Sequence, residues 1–210
     1  MFSIKPKNNG FTLSEVLITL VIIGVVAAIT VPSVMNNTNK QEYISGYKKM
    51  YSTINQVFNR IKADNGGVIA GVFTSDDQII DVFSMYIAEG KRCRKGDGKC
   101  WPEKWYNDKG VPQYATENNF ASLVLADGSM MLFMLMNSEC TSNTELKVNK
   151  GCLRIRSDIN GNKGPNRVGR DIFDFYILDD RVIPRGHPLS KALPTSDWGA
   201  GYRILSTGEL

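Results

Sequence analysis

Hydrophobic positions fall into three regimes along the chain. From Val16 to Val34 the sequence reads VLITLVIIGVVAAITVPSV, nineteen residues without a charge, and the uncharged stretch ends only at Lys40. About 20 apolar residues is the length a helix needs to cross the hydrocarbon core of a bilayer. Beyond Pro32 the pattern turns one-sided: Tyr43, Ile44, Tyr47, Met50, Tyr51, Ile54, Val57, Phe58 and Ile61 recur at spacings of three and four, with Lys48, Lys49, Ser52, Asn55, Asn59 and Arg60 between them. Such spacing puts a single apolar stripe on a helix. Together the two regimes predict one helix from Phe11 to Lys62, about 78 Å long at 1.5 Å per residue, with Gly24, Pro32 and Gly46 as points where it bends or loosens. Asp64-Asn65-Gly66-Gly67 stops it. The third regime, from residue 68 onward, reads as strands. Asp127-Gly128 between the apolar runs Phe120–Ala126 and Met130–Met136 is a strong hairpin signal. Cys152–Arg156, Ile172–Leu178 and Val182-Ile183 supply further strands, and the Gly/Pro-rich tail from Pro184 reads as linker. The fold class is α+β: a long hydrophobic-then-amphipathic helix packed on a small antiparallel β-sheet head.

The flanks of the apolar run decide what kind of span it is. Lys5 and Lys7 precede it, and no acid occurs before Glu15, a bias that keeps the N-terminus on the cytoplasmic side. Ala27-Ala28 is followed by Ile29, Thr30 and Pro32, a poor secretory cleavage site. Glu15 fits no ordinary signal anchor. A carboxylate in a membrane helix costs on the order of 2.5–3.5 kcal/mol at mid-membrane, less at the interface, unless it meets a cation. The following turns contain none, so a partner from elsewhere is implied; the plainer role is a helix-start carboxylate near the N-terminal dipole.

Lys7-x-x-Gly10 followed by Phe11-Thr12-Leu13-x-Glu15 and the apolar run resembles the prepilin leader and cleavage site of the type IV pilin and type II secretion pseudopilin superfamily. Pro32 lies at that family's usual place near the end of the span. The resemblance implies a leader over residues 1–10, a transmembrane and filament-core helix over 11–34, an amphipathic continuation over 35–67 and a β-rich, disulfide-stapled head over 68–210. It implies cleavage after Gly10 by prepilin peptidase and N-methylation of Phe11. It implies pairing of the new Phe11 amine with Glu15 of a neighbouring subunit, which would set the axial register of a filament.

Composition then narrows the head. The chain has 210 residues and a net charge of +4, too mild to declare a nucleic-acid binder. Its four cysteines, Cys93, Cys100, Cys140 and Cys152, lie beyond the span, in a compartment that allows disulfides. Of three connectivities, local pairing of Cys93 with Cys100 and of Cys140 with Cys152 is favoured, and the spacing does not suit zinc. Residues 90–106 gather Lys91, Arg92, Arg94, Lys95, Lys99 and Lys104 with Trp101, Trp105 and Tyr106, the chemistry of a ligand loop for single-stranded nucleic acid or acidic glycan; a stapled surface loop with its aromatics packed inward is the plainer reading. Asp158, Asn160 and Asn162 alternate like the first half of a calcium loop, with Asp171 and Asp174 following, but Gly169 stands at the twelfth position where a bidentate acid belongs; a strand-to-strand turn explains the same residues.

An enzyme is excluded on inventory, because one histidine, His187, stands without a nucleophile, and no phosphate loop or zinc motif occurs. The expected function is a structural subunit of a type IV pilus-like filament or a type II secretion pseudopilus. The expected partners are prepilin peptidase, like subunits and an inner-membrane assembly platform. The expected location is a single-pass inner-membrane precursor with its head outside, giving a periplasmic or extracellular filament. The alternative is a membrane-anchored binding module for DNA uptake or adhesion that uses residues 90–106.

Overall fold

The computed structural model describes residues 10–97, 100–114 and 120–210, and of residues 32–37 the backbone alone. Helix α1 runs over Leu13–Asp64. The chain divides into two compact units, Met1–Gln41 and Glu42–Leu210, and α1 contributes to both. The division falls within the helix, between Gln41 and Glu42. Its cause is the one-sided stripe: Ile44, Tyr47, Met50, Ile54, Val57, Phe58 and Ile61 are all buried in the same core as the sheet. In the first unit the apolar side chains from Leu13 to Val31 are exposed.

The second unit adds helix α2 (Asp76–Ser84), strands β1 (Glu89–Cys93), β2 (Lys104–Tyr106), β3 (Pro112–Tyr114), β4 (Ala121–Leu125), β5 (Met130–Leu135), β6 (Gly151–Asp158), β7 (Ile172–Leu178) and β8 (Val182–Pro184), and helix α3 (Ala200–Thr207). Six strands form an antiparallel sheet in the order β1-β4-β5-β6-β7-β8, and β2 and β3 form a separate hairpin. Asp127 and Gly128 make the β4–β5 turn, with Gly128 at φ 87°. The edge strand β1 is bulged between Glu89 and Lys91. At the other edge, β8 is three residues long and ends on Pro184.

Side chains alternate across this sheet. Leu123, Met131, Phe133, Ile155, Phe173 and Phe175 pack into the core with α1 and α2. The opposite face is covered too: Met130, Leu132 and Ile172 pack with Trp101 and Val168, flanked by Trp105 and Trp198. Strand β7 is consequently buried at all seven positions, and each large apolar side chain so enclosed contributes about 1.5–3 kcal/mol.

Two parts of the head differ from expectation. The stretch before the basic segment is helix α2, capped by Ser75, whose side chain accepts from the Gln78 N–H at 3.2 Å. Gln78 Oε1 in turn accepts from the Thr74 N–H and hydroxyl, so the helix start is closed from both sides. The tail from Pro184 is not a linker. It ends in α3, which buries Ala200, Gly201 and Ile204, and a Cβ on Gly201 would come within 2.7 Å of the Tyr47 hydroxyl. Gly46 likewise serves approach, since a Cβ there would meet Ile159 Cδ1 at 3.0 Å; α1 continues through it.

Candidate functional site

The N-terminal site is built from four residues, Gly10, Phe11, Thr12 and Glu15. Gly10 and Phe11 are exposed, Phe11 to 88%. Thr12 and Glu15 start α1 as a reciprocal pair. The Glu15 N–H donates to Thr12 Oγ1 at 3.3 Å, while the Thr12 N–H and hydroxyl both donate to Glu15 Oε2 at 2.8 Å. This is a capping box, which satisfies donors that the first turn of a helix leaves unpaired. Thr12 is therefore a structural partner of Glu15, legible in the Thr-x-x-Glu spacing. Both bonds from Thr12 land on Oε2; among the described residues Oε1 accepts none. Immediately after lies Leu13–Val31, with a mean hydropathy of 2.5 and none of it buried. Among the described residues it is the one helix long and apolar enough to cross a membrane. The leader with Lys5 and Lys7 and the side chain of Pro32 lie outside the described residues.

In the head, Cys93 is bonded to Cys100 and Cys140 to Cys152. The basic segment does not form an open aromatic platform. Trp101 is 5% exposed and sits in the core on the second face of the sheet. Trp105 lies against the Arg156 guanidinium, 4.9 Å from ring centre to Cζ. Arg92 pairs with Glu89 at 2.6 Å and Arg94 with Asp81 at 2.8 Å, and the Lys95 N–H donates to Asp77. Lys91 and Lys95 are exposed, and Lys99 lies outside the described residues. The charges of Arg92 and Arg94 are met by acids of α2 and β1.

The loop between β6 and β7 does bring acids together. Asp158 and Asp171 are both fully buried. Asp171 Oδ1 accepts the Arg167 N–H at 2.6 Å and its Oδ2 the Asn166 N–H at 2.7 Å. Asp158 Oδ1 accepts the Asn160 N–H at 3.2 Å. Burial first, and then the nearby charge of Asp171, push the Asp158 carboxyl well above its usual range; burial also raises Asp171, against the hydrogen bonds of the loop. Asn162, grouped with these residues by its spacing, is exposed on the short turn Gly161–Lys163. Asn166 takes a place the spacing gave no reason to assign, held at φ 51°. Asp174 belongs to a different constellation, with Arg156 and Arg185 at 2.8 and 2.9 Å.

Residues 5–31 match the family model described as the prokaryotic N-terminal methylation motif. That motif is the signature of type IV pilins and pseudopilins, and the chain carries it. No curated protein and no solved structure matches the chain.

Proposed function

We propose that the chain is the precursor of a structural filament subunit, of a type IV pilus or of a type II secretion pseudopilus. It is cut after Gly10 by prepilin peptidase, methylated on Phe11 and assembled with like subunits by an inner-membrane platform. The observation that carries this reading is the junction of an exposed Gly10-Phe11 with a fully exposed apolar helix inside the methylation motif. Nineteen apolar-span residues without a core of their own need lipid or other helices around them. The capping box supports a role for Glu15 in that packing. Its Oε2 closes its own helix start, and its Oε1 remains to accept the amine of a neighbour's Phe11, a pairing that a low-dielectric bundle makes selective for register. No catalytic step enters this reading. The rival binding module has less support, because Trp101 is buried and Arg92 and Arg94 are paired within the head.

Intact-mass spectrometry on protein from native membranes tests the processing: the expected chain begins at N-methylated Phe11, and one beginning at Met1 in cells with active prepilin peptidase refutes it. Assembly is tested by Glu15→Gln, which preserves a capping box because glutamine also accepts the Thr12 N–H. Cleaved, membrane-inserted subunits that form no filaments are expected. Normal filaments from Glu15→Gln would remove the charge from the mechanism.

A further inference from the structure

Strand register lays two rows of side chains next to each other on the sheet face opposite α1. One row runs Leu132, Arg156, Asp174, and Arg185 joins its end through an N–H donated to Asp174 O at 2.9 Å; the next runs Met134, Arg154, Tyr176. Three guanidiniums meet two carboxylates here: Arg156 and Arg185 share Asp174, and Arg154 takes Glu145. Both acids are fully engaged. Arg156 grips the two oxygens of Asp174 and Arg185 adds a bond to Oδ2, while the other oxygen of Glu145 accepts the Tyr176 hydroxyl at 2.7 Å. One positive charge is left over, and among the described residues no third acid pairs with the group. Arginine cannot shed that charge by losing a proton. None of the three side chains is more than 20% exposed, so water compensates it poorly. Donors are left over as well. Nε of Arg154 and of Arg185 is buried without an acceptor. Among the described residues Arg156 Nη1 and Arg185 Nη2 donate to nothing, and Arg154 Nη2 falls back on Met134 Sδ at 2.7 Å, a weak acceptor.

We propose that this face binds the carboxylate of a small organic acid, which supplies the missing negative charge and accepts from the free edges of Arg156 and Arg185. Two features favour a carboxylate. A guanidinium edge presents parallel N–H groups that match a planar carboxylate. The surplus is a single charge, which a carboxylate neutralises and a phosphate group, at about −1.5 to −2, would overshoot. The site is also held ready in advance. Trp198 lies against both guanidiniums, 4.9 Å from Arg156 and 4.3 Å from Arg185, and Trp105 lies 4.9 Å from Arg156. Both indoles are half-buried, so they fix the arginines and leave an apolar rim for the body of the acid. Fixing the side chains beforehand removes most of the ordering cost of binding. The site does not depend on how the chain assembles, and it stands or falls apart from the filament reading.

The test is a titration of the full chain in detergent with sodium propionate, read by tryptophan emission and by thermal melting. Propionamide serves as the neutral twin, sodium chloride as the control at matched ionic strength, and sodium phosphate as the competing oxyanion. One saturable site is expected for propionate, with a dissociation constant on the order of 10⁻³–10⁻² M, the scale open to a ligand of so few atoms. The melting temperature should rise with propionate, and propionamide should do nothing. Arg185→Gln, whose amide still donates to Asp174, should abolish the response. Arg185→Lys, which keeps the charge and the fold but loses the planar fork, should weaken binding at least about tenfold. Absence of saturable propionate binding to the wild type overturns the proposal. So does an equal response to chloride, the mark of screening alone, and so does phosphate binding as tight as that of propionate. Unchanged propionate binding in either variant overturns it too.

Discussion

Asp174 is fully enclosed and charged at once, because arginines surround it. Arg156 reaches Oδ1 from β6 at 2.8 Å, and Arg185 reaches Oδ2 from beyond β8 at 2.9 Å. Burial by itself would push the carboxyl up, but Arg156 first, then Arg154 and Arg185, hold it well below the usual range. The guanidiniums are themselves interleaved with indoles: Arg156 lies 4.9 Å from both Trp105 and Trp198, and Arg185 4.3 Å from Trp198. Beside them Tyr176 donates to Glu145 at 2.7 Å, and Glu145 pairs with Arg154. Removing the one carboxylate would leave Arg156 and Arg185 facing each other, so Asp174→Asn should cost about 3–5 kcal/mol in denaturant unfolding. The pH dependence follows from the depressed value. Asp174 stabilises the fold above the unfolded-chain value of about 3.9, and that stabilisation is lost as pH falls below it toward the folded value. The gap between wild type and Asp174→Asn should therefore be level from pH 8 to about 5 and narrow below about 4. A gap unchanged at low pH would show that packing, not charge, is what the substitution removes.

At the scale of elements, what the sequence discloses depends on whether a residue's reason is local. Strand β7 is legible as Ile172–Leu178 because its apolar and aromatic run is bounded by Gly169 and Asp179-Asp180. The hairpin is legible because Asp127-Gly128 has one favoured turn geometry. Helix α2 was within reach in Ser75-x-x-Gln78 with Asp76 and Asp77 in its first turn, but nine residues are too few for a persistent 3.6-residue period. The tail misleads for a different cause. Gly199 and Gly201 allow close approach to Pro194 and Tyr47, and glycine needed for packing has the same composition as glycine in a linker. Of the candidate residues, Gly10, Phe11 and Glu15 are picked out by local order, whereas Asn166 meets Asp171 only through the turn of the loop between β6 and β7. The disulfides act on elements too. Cys140–Cys152 spans 12 residues and lies within the main core, and Cys93–Cys100 spans 7 at the end of β1. Replacing the first pair by alanines should lower stability by about 2–4 kcal/mol, and the second by less. Melting of the two double variants checks the order, and an inverted order would place the greater constraint at β1.

For the molecule as a whole, the core begins at Ile44, and among the described residues none of its buried members comes from Met1–Gln41. A chain starting at Glu42 should therefore fold as a soluble unit with both disulfides, monomeric by size-exclusion chromatography and with a cooperative melt. Aggregation of that fragment, with disulfides intact, would show that the head depends on the anchor. The division assigns separate tasks to one helix: the segment Leu13–Val31 has its apolar surface outward, and the segment after Glu42 is an interior wall of the head.

The filament proposed above would crowd its subunits, and crowding is dangerous to anything with an unpaired strand, since edges template fusion into ribbons. Here β1 presents a bulge and the exposed cations Lys91 and Arg92, while β8 is short, buried and closed by a proline that has no N–H to donate. Both borders are insulated. Heads of this kind can be pressed together, side by side, and remain separate molecules.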